Sequence, residues 1–437
     1  MLTPEIVSLI LVLGLVGLMI CAVPLGFAAG ALATALIYFQ FGPGALGLPL
    51  KQVYGMASDY SFAAVPMFIL MASLLEHSTL ARDMYSGLQR LAGQITGGVA
   101  IVTLLIAVIL AAMSGIIGGE IVLLGLIALP QMLRLKYDRN LAIGTILAGG
   151  SLGTMIPPSI VLIIYGLVSG VSIQKLFIAT TIPGLMMGSL YLSYILIRCW
   201  KNPKLAPPVG PEDRAKMSVK EALKALVPPI LLIFLIMYCI YGGITSITEA
   251  AVIGVTGALI LITIRGEMSF GLLNDGLVQT LRACGVLLWV TFGVSVLVSV
   301  YNLSGGRDFM SDLILDANLP PLMTIIMMML LFLVLGTIMD WIGILLLTMP
   351  IFVPIITQLG FDPVWFGVLF CMNMQVAFLS PPFGPAGFYL KSVAPPDISL
   401  MHIYNSVWPF ILLQIFAITM LILFPNIALW LPGVLMN

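Results

Sequence analysis

At 437 residues, with 61% hydrophobic and 8% charged side chains and a mean hydropathy of +1.16, the chain is too apolar to be a water-soluble domain, which carries about 25% charged residues. It reads as an all-α polytopic protein whose surroundings are the lipid bilayer. Its zero net charge says nothing about partners; no nucleic-acid partner is expected of a chain this apolar. Five scattered cysteines without a CxxC pair read as membrane-packed free thiols, and two histidines are too few for a histidine metal site or proton relay.

No Lys or Arg precedes Lys51, so the N-terminus lacks the basic region of a cleavable signal and is expected to remain as a first helix. Apolar runs suited to a bilayer, roughly 20 residues each, recur at 6–22, 25–40, 62–78, 97–113, 116–133, 139–165 and 177–199. They resume at 225–242, 247–265, 283–303, 318–338, 341–358, 363–390 and 403–433. Residues 79–95 and 304–317 are amphipathic and are expected to lie along the interface as arms bracing the next apolar segments. Residues 200–222, rich in proline and charge, form a cytoplasmic linker between a first repeat at 1–199 and a second at 223–437.

The repeats are legible in spacing. Glu120 stands ten residues before Pro130, and Asp138 nineteen before Pro157-Pro158; Asp340 stands ten before Pro350, and Asp362 nineteen before Pro381-Pro382. The offsets are 220 and 224 residues, so one four-residue insertion separates the copies. In each copy a pair of apolar segments, about 97–133 and about 318–358, is interrupted by small or polar residues, and a second element, about 139–165 and about 363–390, breaks at the double proline.

Charge decides the topology. If the N-terminus is outside and each interrupted pair returns to the side it left, fifteen of the eighteen Lys and Arg fall inside, leaving only Lys51, Lys175 and Arg307 outside. The first pair then opens to the cytoplasm and the second to the outside, so the repeats are inverted. The short gaps, free of Lys and Arg, favour re-entrant hairpins over full spans. Duplicated broken segments of this kind are where secondary transporters build their binding sites.

Carboxylates inside a membrane are costly and usually functional, which singles out Glu120 and Asp340, just past the hairpin tips, for the substrate site together with Ser114. Capping of the second hairpin arm is the plainer role and is compatible with it. Helices that break at Pro157, Pro158, Pro381 and Pro382 free backbone carbonyls that need partners. Na⁺ would supply them, held by those carbonyls and by Ser114, Thr154, Thr337, Asn373 or Ser380, with Gly115, Gly150 and Gly336 as backbone positions. Asp138 and Asp362 read as N-caps, and Ser246 to Glu249 as a capping box.

Ser114-Gly115 with Glu120 and Gly125, then Ile156-Pro157-Pro158-Ser159, then Gly336 to Asp340 with Pro350, then Asn373 with Ser380-Pro381-Pro382-Phe383-Gly384 stand in one order. Together they resemble the large membrane subunit (DctM-like) of tripartite ATP-independent periplasmic (TRAP) transporters, within the ion-transporter superfamily, over essentially the whole chain. The resemblance implies an elevator: hairpins and broken helices move as one body past a scaffold, carrying a small organic acid with Na⁺ and no organic cofactor. It implies a bacterial inner-membrane location, a periplasmic solute-binding protein and a separate small membrane subunit (DctQ-like). Two departures stand out, Ile116 in place of the second serine of the first tip and Ser380 in place of threonine. The segment Pro381–Lys391 is similar to a branch linked to 2-oxo acids, mannitol or chloroaromatic acids.

Rival readings are a stand-alone Na⁺-coupled carboxylate transporter of the same superfamily and an intramembrane enzyme. The enzyme is disfavoured. Tyr137-Asp138 has no Gly-x-Gly-Asp downstream of it, and Gly149-Gly150-Ser151-Leu152-Gly153 lies inside an apolar helix, without the strand-to-helix turn a serine nucleophile needs.

Overall fold

A computed structural model describes residues 2–92, 95–115, 118–210, 218–382 and 384–436. The departure at Ile116, the position Phe383 and part of the linker therefore lie outside the described residues, as does the side chain of Ser114. Every described element is helical. In chain order they are α1 Pro4–Ile20, α2 Leu25–Phe41, α3 Leu48–Ala57, α4 Ala64–His77, α5 Leu80–Ala92, α6 Gly98–Ser114, α7 Gly119–Arg134, α8 Arg139–Ser151, α9 Ile160–Ser169 and α10 Ile173–Lys201. Beyond the linker come α11 Val219–Tyr241, α12 Ile247–Ile264, α13 Phe270–Leu303, α14 Gly306–Leu315, α15 Pro321–Gly336, α16 Trp341–Gln358, α17 Pro363–Leu379, α18 Pro385–Val393, α19 Leu400–Leu423 and α20 Asn426–Leu435. Seven of these, counting the short 3₁₀ turn that leads into α4, are long and apolar enough to cross a membrane, and seven shorter helices are apolar. The chain is a multi-pass membrane protein.

The duplication appears as a repeated series. α4, the arm α5, the hairpin α6–α7, the broken pair α8/α9 and the long α10 are matched by α13, α14, α15–α16, α17/α18 and α19. Caps set the starts: Asp138 accepts from Leu141 N, and Asp362 from Val364 N. Ser246 and Glu249 form the complete capping box of α12.

Two bodies result. One is a frame: α2 lies along α13, α4 packs on α12 and α13, and α11 packs on α12. Its tightest crossing is backbone on backbone. A Cβ on Gly26 would sit 2.5 Å from the Trp289 carbonyl oxygen, and one on Gly293 1.9 Å from that of Gly26. Small residues permit such approaches where lipid supplies no hydrophobic drive. The other is a block: α6 and α7 flank α8, α15 packs on α17, and α19 covers α8 and α17. Arm α5 touches frame helix α11 and hairpin helix α6, while α14 touches α1, α13 and α16.

The arm α5 is tied to the frame at one corner. Thr79 donates through its backbone N (2.8 Å) and hydroxyl (2.6 Å) to Glu267, which also accepts from Arg265 Nε at 2.7 Å. Arg265 pairs with Asp83 as well. Burial pushes the Glu267 carboxyl up, but the bonds from Thr79 and Arg265 outweigh it and hold the group below the usual glutamate range. The segment after α10 is stitched to the block instead: Asp138 N donates to Leu205 O (2.7 Å), and Gly97 N to Ala206 O (3.0 Å).

Three expectations need correction. The run 403–433 is two helices, because Pro425 and its neighbours interrupt it between α19 and α20. The helix expected at 283–303 starts at Phe270, where Ser269 caps it by accepting from Leu272 N. Polarity there signals water, and the backbone stays helical. The short helix α3 carries no strong period and leaves no mark in the sequence pattern.

Candidate transport site

Both broken helices interrupt where the sequence places the prolines. α8 gives way to a 3₁₀ turn at Leu152–Thr154 before α9, and α17 ends at Leu379 with α18 resuming at Pro385. The Pro157-Pro158 and Pro381-Pro382 bonds are both cis. Each hairpin tip packs against the break of its own repeat. At the first tip Gly115 has φ +59°, and a Cβ there would lie 2.6 Å from the Pro158 carbonyl oxygen. Ile160 N donates to Gly115 O at 3.3 Å, bonding tip to break. At the second, Gly336 approaches Ala377, whose Cβ would lie 2.4 Å from a Cβ added at Gly336. Ala377 stands one turn before Ser380 on α17.

The hydroxyls at these breaks are oriented alike. Thr154 donates to Ser151 O (3.3 Å), Thr337 to Val334 O (2.7 Å) and Ser380 to Val376 O (2.7 Å), while Ser159 donates to Thr154 O (2.8 Å). A hydroxyl that gives its proton to a helix carbonyl keeps its lone pairs for another partner. Asn373 is buried and donates to Met329 O at 2.7 Å, while its Oδ1 has no hydrogen-bond partner among the described residues. Met329 is seven residues from Gly336, about 10 Å along α15, so Asn373 is held away from Thr337 rather than beside it. Gly150 lies in the last turn of α8, where Ile121 of α7 packs against it.

Glu120 and Asp340 have the same sequence offset but different surroundings. Glu120 is fully buried as the second residue of α7, its carboxylate against Gly153 of the first break. Asp340 is exposed and caps α16, accepting from Trp341 N at 2.8 Å. The equivalence therefore slips by two residues: Gly118, not Glu120, is the cap of α7.

Asp340 opens on a cleft of 520 Å³ lined by Val16, Met19, Ile20, Gly336 to Asp340, Pro385 and Tyr389. None of these is a cation. Sequence reasoning missed Tyr389, whose ring also lies against Gly118 of the first tip, so that one side chain spans the two tips. It missed Glu76 too, which reaches the first tip from frame helix α4. A lone carboxylate at the end of an apolar run was the signal available for Glu76; nothing marked Tyr389.

Among the described residues no cluster of three or more His, Cys, Asp or Glu could hold a metal ion.

Comparison with known proteins gives the family. The sequence pattern of the family described as tripartite ATP-independent periplasmic transporter, DctM component, matches residues 12–427. The chain is 28% identical over 424 residues to the sialic acid TRAP transporter large permease protein SiaM of Vibrio cholerae, covering 96% of this chain and 97% of that one. It is 26% identical over 424 residues to the isethionate TRAP transporter permease protein DctMQ of Oleidesulfovibrio alaskensis, covering 95% of this chain and 65% of that one. The fold is similar to that of the Alcanivorax borkumensis YdaH transporter, with a TM-score of 0.64 at 13% identity over 89% of each chain. The protein is a transport protein rather than an enzyme, and the chain belongs to the DctM family of tripartite ATP-independent periplasmic transporter components.

Proposed function

We propose that the chain carries a small organic acid across the bacterial inner membrane, driven by a Na⁺ gradient, as the moving-block subunit of a three-part transporter. The observation that carries this reading is the pairing of each hairpin tip with the break of its own repeat, with Gly115 on Pro158 and Gly336 on Ala377. Each pairing gathers hydroxyl and carbonyl oxygens of the kind Na⁺ takes, and Tyr389 brings the two tips to one cleft. Thr154 and Ser159 with the Gly115 tip would hold one ion, and Thr337 and Ser380 would serve a second, with Asn373 about two turns away from both. Glu120 stands behind the first and Asp340 faces the cleft.

The acids named for the relatives support an organic acid as cargo. The fused permease among them supports a small membrane subunit as partner. A periplasmic solute-binding protein would deliver the cargo. With the N-terminus outside, as the charge bias requires, the ends of α1 and α4 beside the tips face the cytoplasm, and the orientation described is inward-facing.

The test is a mild-detergent pull-down from native membranes, then Na⁺-driven uptake in vesicles. A companion of about four spans is expected, with uptake abolished by Asp340→Ala or Asn373→Ala while membrane insertion is normal. A chain recovered alone, with uptake intact, points to the stand-alone carboxylate transporter.

A further inference from the structure

Glu76 is the penultimate residue of α4 in the frame, yet its carboxylate rests on the tip of a hairpin that belongs to the block. A Cβ on Gly119 would sit 2.5 Å from Glu76 Oε1 and 3.2 Å from Oε2, so only a glycine admits this approach. Gln279 of frame helix α13 donates to Oε2 at 2.9 Å and fixes the carboxylate there. On the block side, Gly119 is the first residue of α7, whose N-cap, Gly118, has no side chain to cap it with. The positive end of the helix dipole at that start attracts a carboxylate.

We infer that Glu76, tethered by Gln279, is a positioning residue that docks the first hairpin tip in the orientation described. The inference rests on the moving-block reading, because a contact between two bodies can bias an equilibrium only if they move. The two partners of the contact lie on different bodies, so it exists in one position of the block and is lost when the tip leaves the end of α4. A ligand or contact shifts a two-state equilibrium only through its difference between the states, and this contact has that difference built in. The Tyr389–Gly118 contact does not: both residues ride on the block and travel together.

The experiment uses the complete transporter reconstituted in lipid, with spin labels at Phe39 of α2 and Met401 of α19, both exposed. Electron paramagnetic resonance then reads the distance between frame and block. Glu76→Ala is expected to lower the share of the described orientation several-fold, and Gln279→Ala to lower it less. Gly119→Ala should act like Glu76→Ala on its own but add nothing in the Glu76→Ala background, since the side chain it collides with is gone. An unchanged share in Glu76→Ala, or an equal effect of Gly119→Ala in both backgrounds, overturns the inference while leaving the moving block intact. A single distance under all Na⁺ and substrate conditions overturns the moving block and the inference with it.

Discussion

At the level of single residues, two glycines separate backbone conformation from contact. Gly115 and Gly170 both have positive φ, +59° and +66°, but only Gly115 has a neighbour, the Pro158 carbonyl; a Cβ on Gly170 meets nothing within 4 Å. A non-glycine residue in the left-handed region costs about 1–2 kcal/mol. Gly170→Ala should therefore lower the unfolding midpoint slightly and leave uptake unchanged. Gly115→Ala adds a collision between backbone segments, and should also displace the tip from its break and remove most Na⁺-driven uptake. Equal uptake in the two variants, measured beside their thermal midpoints, would remove the tip–break contact from the mechanism.

Among the helices, the corner at Thr79, Asp83, Arg265 and Glu267 decides how firmly arm α5 is held. It is partly exposed, with Arg265 at 23% and Glu267 at 19%, so the network contributes about 1 kcal/mol and weakens in salt. The folded state lowers the Glu267 pKa. Its contribution is thus fully present above the ordinary glutamate value of 4.5 and is lost as pH falls below it, through the lowered value. Arg265→Ala should speed amide hydrogen exchange over residues 79–92 at neutral pH and weaken, without removing, its response to acidification below pH 4.5, since the Thr79 bonds to Glu267 persist. Protection unchanged by the substitution would show that α5 is held by its apolar face alone.

Across the molecule as a whole, the sequence carried more of the architecture than of the site. Spans, hairpins and breaks are legible because each leaves a chemical mark: an apolar run, a gap of glycines and hydroxyls, a double proline. The C-terminal run reads as one helix because its apolar composition masks the interruption at Pro425, and α13 reads short because its first turns are polar. The site is legible only in part. Glu120 and Asp340 share an offset, but their environments depend on where each helix begins, a matter of two residues that spacing cannot resolve. Tyr389 and Glu76 join the site through contacts between elements far apart in the chain, and no local pattern announces those.

The stitching of residues 205 and 206 to Asp138 and Gly97 has a mechanical consequence. It fastens the start of the connection between the repeats to the block, while α11 at its far end belongs to the frame. The connection is then a leash with a countable length. Between Ala206, the last stitched residue, and Ser218 the chain spans at most about 42 Å, at about 3.5 Å per residue, and no stroke can stretch it further. Trimming residues from 211–217 should leave the inward position populated and progressively deny the far one. A shortened leash that still allowed full-rate uptake would mean that the stroke is small compared with the slack.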